Sequence, residues 1–197
     1  MMRFNVSEIN ECIRTRRSIY PEQFSDRKVH KELIEVLIEN ARWAPTHKLT
    51  QPWRFKVFME DGLKRFAEWH SETYKKITPP EKFKEMKYRK LRDRPLKSSA
   101  VIAIVMQRDE KESIPVEEEI AAVAAAVQNM HITCSAYGLA AYWGSGGLTY
   151  TDEMKEFLGI GEKDICLGMF FIGYPEIEWP RKTMRLERRK VTEFITE

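Results

Sequence analysis

No apolar run in the chain approaches the roughly 18 residues that a membrane-spanning helix needs. The longest, Ile120 to Val127, has eight. No membrane partner is therefore expected. Cysteine is scarce: Cys12, Cys134 and Cys166 stand far apart, with no Cys-x-x-Cys. That excludes a disulfide framework, a zinc knuckle and a dithiol redox pair. The four histidines, at 30, 47, 70 and 131, are equally scattered. No His-Glu-x-x-His occurs, so no metal site is expected. A surplus of one charge is missing too. Thirty-three Lys and Arg against 30 Asp and Glu leave +3, too little to read as a nucleic-acid binder. Met1-Met2-Arg3-Phe4-Asn5 has no apolar signal core, and the expected compartment is the cytoplasm. Gly-x-Ser-x-Gly, Walker A and Gly-x-Gly-x-x-Gly patterns are all absent. No Gly/Ser linker or repeat divides residues 1–197, which read as a single domain.

What remains is globular: 43% hydrophobic and 32% charged residues. A first helix is predicted from Ser7, as its cap, to Thr15, with Ile9, Cys12 and Ile13 on one side. A second covers about 29–42. Trp53 to Met59 alternates apolar and basic residues and reads as a strand with one wet face. A helical excursion follows over about 60–97, aromatic at first. From Lys75 to Lys97 it carries ten bases against three acids. Ser99 to Gln107 is a buried strand. Asp109 to Glu119 holds six acids and one lysine.

The longest helix runs from Glu117 to about Tyr137, its acids at the N-terminal turn where the helix dipole favours them. It is apolar nearly all round, which implies cover from a second subunit or from within one. Leu139–Trp143 and Cys166–Gly173 are two more strands, with a short helix over Thr151–Leu158 between them. Val191 to Ile195 reads as a last strand. Helices and strands mix without regular alternation, which gives α+β with one sheet.

Three segments carry polar chemistry. Arg16-Arg17-Ser18 could hold a phosphate by charge-assisted bonds, or be a solvated helix end. Pro45-Thr46-His47-Lys48 lies in a proline-bracketed loop suited to binding, although a lone histidine such as His47 is more often a surface or satisfied one than a catalytic one. Trp143-Gly144-Ser145-Gly146-Gly147 ends a strand in glycines, so the backbone can approach a flat ligand or simply turn. Pro180 to Lys190 adds six bases and one acid, as a second phosphate clamp or a solvated tail.

In this order these segments resemble the FMN-dependent nitroreductase family, in its short branch of YdjA-like NAD(P)H nitroreductases. The carrying motifs are Ile13–Tyr20 (IRTRRSIY), Ala41–Phe55 (ARWAPTHKLTQPWRF), Trp143–Gly147 (WGSGG) and Leu167–Pro175 (LGMFFIGYP). The resemblance implies a three-layer α+β sandwich, one mixed and mainly antiparallel sheet flanked by helices. It implies a homodimer with FMN at the interface. The excursion over 60–97 is then a lid, and the extension over about 180–197 pairs with the partner subunit. Arg16, Arg17 and Ser18 match the phosphate-binding triplet, and Arg181 and Lys182 the basic pair that completes it. Pro45, Thr46, His47 and Lys48 match the loop that reaches the other subunit's flavin. Trp143, Gly144, Ser145, Gly146 and Gly147 match the turn beside the flavin ring. A backbone N–H near Gly146 or Gly147 is then placed to donate to flavin N5.

The implied reaction is ping-pong: NADH or NADPH gives hydride to flavin N5, which passes it to a nitroaromatic, quinone or similar acceptor. No side-chain acid or base is required. Reductive dehalogenation, oxygen-dependent chemistry or a flavin sensor or store are the alternatives. Larger members carry Ser and Asn where this chain has Thr46-His47-Lys48. Tyr20 stands near the flavin where they often have a lysine, and the loss of that cation disfavours the anionic reduced ring unless Lys48 or an arginine substitutes.

Overall fold

The computed structural model describes residues 4–180 and 183–197. Helix α1 spans Val6–Thr15, and its cap stands two residues before the predicted one. The Asn5 side chain accepts hydrogen bonds from the N–H groups of Ser7 and Glu8, so Asn5 rather than Ser7 caps it. Asn and Ser cap about equally well, and the upstream residue of the pair captures the free N–H groups.

α2 (Lys31–Ala41) buries Ile34, Leu37 and Ala41 on the stripe that its periodicity predicts. The strands are β1 (Trp53–Phe58), β2 (Ala100–Met106), β3 (Ala140–Gly144) and β4 (Ile165–Gly173). They form one sheet in the order β1-β2-β4-β3, with all three ladders antiparallel.

The sheet is the middle of three layers. Alternate β2 side chains decide this: Ile102, Ile104 and Met106 enter one core, and Val101, Ala103 and Val105 the other. Both faces are covered, which is why β2 reads as an unbroken apolar run. The first core is closed by α2 and by α5 (Val116–Ala136). The second is closed by α3 (Asp61–Ile77) and α6 (Asp152–Leu158), with Leu91 of α4 (Glu85–Lys97) packed against it. Phe66 lies at its centre, fully buried and stacked on Phe58 at 4.9 Å between centroids. The excursion is thus a helical pair, broken by Pro79-Pro80 as expected.

β4 runs close beside the end of β3. At Gly168 the backbone has φ +119°, and a Cβ there would stand 2.5 Å from the Gly144 carbonyl oxygen. Only glycine lets the two strands approach where β3 hands over to the glycine-rich turn.

Two expectations change. α5 buries a broad stripe (Ala122, Val123, Ala126, Val127, Met130, Cys134), but Ala121 and Gln128 remain exposed. Its cover within one chain is therefore incomplete. Val191 to Ile195 forms no strand. The tail shows one helical turn at Arg188–Lys190, and Phe194 and Ile195 lie open to solvent. A strand needs a neighbouring edge for its N–H and C=O groups, and the tail meets none in its own chain.

Candidate active site

The segment after α1 is laid along the sheet. Ile19 N–H donates to the Ala141 carbonyl at 3.0 Å, fixing the segment to β3 as an extra rung. Ile19 itself is buried, which turns its neighbours Ser18 and Tyr20 outward. Arg16 and Arg17 are half-buried where α1 ends. The Arg17 guanidinium donates to the carbonyls of Arg14 and Arg16 at 2.8 and 2.9 Å. Burial, then Arg185, then Arg17 pull the Arg16 pKa below its ordinary value. Three guanidiniums thus share one region, and among the described residues the charges named at Arg16 are those of Arg185 and Arg17. Such a cluster is costly unless an anion joins it.

The tail that carries Arg185 is anchored nearby. The Trp179 indole N–H donates to the Thr15 carbonyl at 2.8 Å. The C-terminal basic stretch is therefore brought to the Arg16-Arg17-Ser18 triplet, through Arg185. Arg181 and Lys182 lie outside the described residues.

Beyond Ile19, the Tyr20 ring meets Tyr142 of β3 at 4.6 Å between centroids. The Arg94 guanidinium of α4 stands 5.6 Å from the Tyr20 ring centre and 5.5 Å from that of Tyr142. Glu22 holds Arg94 at 2.8 Å. Arg94 is thus a guanidinium set beside Tyr20 and Tyr142. Sequence reasoning missed it, because it is remote in the chain and embedded in ten bases that read as a solvated surface. Its signal is spacing: Lys87, Lys90 or Leu91, and Arg94 fall on one helical face.

A cleft of about 230 Å³ opens between α4 and the turn Gly144–Gly147, with Tyr142, Met169 and Phe171 as its apolar floor. Tyr142 faces this cleft, while Trp143 packs into the opposite core and donates its indole N–H to the Leu167 carbonyl at 3.0 Å. Within the turn, Gly147 has φ +76°, and a Cβ there would come within 2.5 Å of His70 Nε2 and 2.8 Å of Leu91 Cδ2. A Cβ on Gly146 would meet nothing within 4 Å. Gly147 is glycine for the fold. Gly146 has open space beside it.

His70, also unforeseen, supports this turn from below. It is 3% exposed, stacked near Phe66, and Leu148 N–H donates to its Nε2 at 3.4 Å. That bond assigns the proton to Nδ1. Burial, and then the charge of Lys87, lower the His70 pKa to about 4. His131, buried edge-on to Phe170, is lowered to about 4 by burial and then by Arg16. Between that value and the ordinary 6.5 the unfolded chain binds more protons than the folded one. Stability is therefore full above about pH 6.5 and falls as pH drops towards 4. Each ring contributes as much as about 3 kcal/mol across that window. The unfolding midpoint is expected to fall steeply from pH 6.5 to 4, and less steeply in His70→Leu. Equal slopes in both proteins would remove His70 from this account.

The loop Pro45–Lys48 is not brought to this place. His47 Nδ1 pairs with Glu118 at 2.5 Å, and Lys48 donates to the Ser113 carbonyl at 2.9 Å, both at the N-terminal end of α5. Lys48, Leu49 and Gln51 have positive φ, and the Thr46 hydroxyl accepts from Gln51 N–H at 3.1 Å. The loop is thus shaped by its own bonds. The α1 end docks elsewhere on α5, where the Cys12 thiol donates to the Ile132 carbonyl. Fourteen residues separate Glu118 from Ile132, or roughly 21 Å at 1.5 Å per helical residue. Within one chain the loop and the arginine cluster are therefore far apart.

The chain is similar to known proteins along most of its length. Bacillus subtilis (strain 168) YfhC is 28% identical over 171 residues, 86% of each chain. A nitroreductase-like family protein from Bacillus cereus superposes with a TM-score of 0.80 at 28% identity, covering 99% of this chain and 98% of that one. The FMN-dependent nitroreductase NfnB of Mycobacterium smegmatis, solved in complex with NADPH, shares the fold with a TM-score of 0.74 at 16% identity, over 98% and 100% of the two chains. The model of the nitroreductase family matches residues 13–174, from the last turn of α1 to just past β4, and to that family this chain belongs.

Proposed function

We propose that this protein is an FMN-dependent NAD(P)H oxidoreductase that works as a homodimer. The observation that carries the reading is the cluster Arg16, Arg17 and Arg185 beside the exposed Ser18 hydroxyl, held on β3 next to a glycine-lined apolar cleft. A phosphate of nearly two charges fits that donor set, through charge-assisted bonds to the guanidiniums. A flat, weakly polar ring fits the open space at Gly146.

Bound FMN supplies two-electron chemistry, taking a hydride equivalent from NADH or NADPH and giving it to an acceptor such as a nitroaromatic or quinone. The protein's own groups bind and orient. Arg16, Arg17 and Ser18 hold the phosphate end, with Arg185, Arg181 and Lys182 from the tail. The N–H groups of Gly146 and Gly147 present donors to the ring edge. Arg94, ion-paired with Glu22, places a guanidinium beside Tyr20, where it borders the edge of the ring. The apolar floor excludes water from the ring face. No titrating side chain is needed, and the neutral His70 keeps the turn in place.

Two features support the dimer. α1 leaves Val6, Ile9 and Ile13 open to solvent, and Trp43, Leu49, Phe194 and Ile195 are exposed as well. Apolar surface of that extent marks an interface. A two-fold axis along α1 and α5 makes that contact isologous. It also brings Pro45, Thr46, His47 and Lys48 of one protomer to the cluster of its partner, which a single chain holds about 21 Å away. The tail over 180–197 then finds in the partner's sheet the edge it lacks at home, and the pair over 60–97 covers the cleft as a lid.

Initial rates with NADPH or NADH and menadione or a nitroaromatic test the reading. The expected pattern is parallel double-reciprocal lines, the mark of one substrate leaving before the next enters. Intersecting lines contradict a shared site, and no turnover in FMN-saturated protein contradicts the activity.

A further inference from the structure

A second cleft, of about 370 Å³, opens where the last turn of α4 meets the start of α3. It shares no lining residue with the cleft beside the glycine turn. The two are nevertheless neighbours through α4. Arg94 and Pro95 line the one, and Leu96 and Ser98, a residue or two further on, line the other. The floor of this second cleft is apolar. Val29 and Leu63 are buried there, and Leu96 stands open to solvent in the wall. Its base is tied down by hydrogen bonds. Val29 N–H donates to the Ser99 hydroxyl at 3.0 Å, and the Ser98 hydroxyl donates to the Arg94 carbonyl at 2.9 Å. Both walls are thus fixed to the residues that lead into β2.

Four charged side chains stand around the apolar floor. Lys64 and Asp61 pair with each other at 2.8 Å. Lys28 and Glu60 are exposed, and neither side chain forms a hydrogen bond or an ion pair among the described residues. One ammonium and one carboxylate are therefore left for a ligand. Ligand sites hold roughly 300–1,000 Å³, with a few polar groups on an apolar lining to fix orientation. At about 370 Å³ this cleft has room for one small molecule. The complement of an apolar floor with one free charge of each sign is an apolar body that carries both charges.

We propose that this cleft binds an apolar amino acid as an effector, with its side chain on Val29, Leu63 and Leu96, its carboxylate toward Lys28 and its ammonium toward Glu60. Such an occupant joins the start of α3 to the last turn of α4. It thereby steadies the wall from which Arg94 and Pro95 face the other cleft. Neither this cleft nor its ligand depends on the flavin reading.

L-Leucine, 3-methylbutylamine and 4-methylpentanoate share one branched chain and differ only in the charges they carry. In calorimetric titrations of the purified protein at low salt, leucine is expected to bind roughly fivefold tighter than either analogue, the worth of one well-placed exposed charge contact. Lys28→Ala is expected to bind leucine and the amine alike. Glu60→Gln is expected to bind leucine and the carboxylate alike. Both side chains are exposed, so neither change disturbs the core. Backbone hydrogen exchange over residues 94–98 is expected to slow when leucine is bound, because the last turn of α4 then opens less often. Binding of none of the three, as in a cleft already covered by a partner subunit, overturns the site. Equal binding of all three, or a full leucine preference that survives in either variant, overturns the choice of ligand. Leucine binding without slower exchange over 94–98 overturns the bracing of α4.

Discussion

Arg16→Ala/Arg17→Ala is expected to lose FMN while keeping its fold. Neither side chain belongs to a core, and the helix that precedes them buries no residue fully. A charge-assisted hydrogen bond is worth about 1.5–3 kcal/mol, so two lost guanidiniums weaken FMN by roughly a hundredfold or more. Burial, then repulsion from Arg185 and Arg17, already lower the Arg16 pKa, so the double variant relieves a cost while giving up the hydrogen bonds from Arg17 to the Arg14 and Arg16 carbonyls. The double variant is therefore expected to melt within a few degrees of the wild-type apoprotein. Fluorescence titration of both apoproteins with FMN measures the loss, and thermal unfolding without FMN measures the fold. Full retention of flavin by the double variant removes the phosphate assignment.

Gly147→Val is expected to damage the fold, and Gly146→Ala only the site. At Gly147 the backbone has φ +76°, which a β-branched residue tolerates badly. The added Cβ would also run into His70 and Leu91. His70 cannot step aside, because it is buried among Phe66 and Trp69. Strain of about 1–3 kcal/mol and overpacking of a similar size give roughly 2–6 kcal/mol. Gly146 has no neighbour within 4 Å of its Cβ direction. Its alanine variant is expected to leave the apoprotein midpoint within about a degree or two of wild type, as a surface change does. It is expected to weaken FMN, because the methyl group enters the space that the ring occupies. Equal midpoints for Gly147→Val and wild type would contradict the geometry of the turn. An unaltered FMN affinity in Gly146→Ala would move the ring elsewhere.

Much of the layering was legible because it follows from period. β2 announces two covered faces by an unbroken apolar run, and α2 shows its buried stripe at helical spacing. The triplet Arg16-Arg17-Ser18 and the glycine turn stand out in the sequence as compact local patterns, and the structure places both beside β3. Arg94 and His70 were not, since each matters through contacts across 72 or more residues of chain. One looked like solvated charge and the other like a lone histidine. The cap of α1 shifted from Ser7 to Asn5 because two competent residues stand two apart. The tail strand failed for a different reason: its loose alternation is local, and no strand edge lies beside it among the described residues.

The most direct test is the visible spectrum of the purified protein, then anaerobic addition of NADPH or NADH. The account predicts absorption bands of bound oxidised flavin, and their bleaching by a stoichiometric amount of reduced nicotinamide. A protein that stays colourless even after FMN is added would contradict the central claim, and bound flavin that does not bleach would contradict the role given to NAD(P)H.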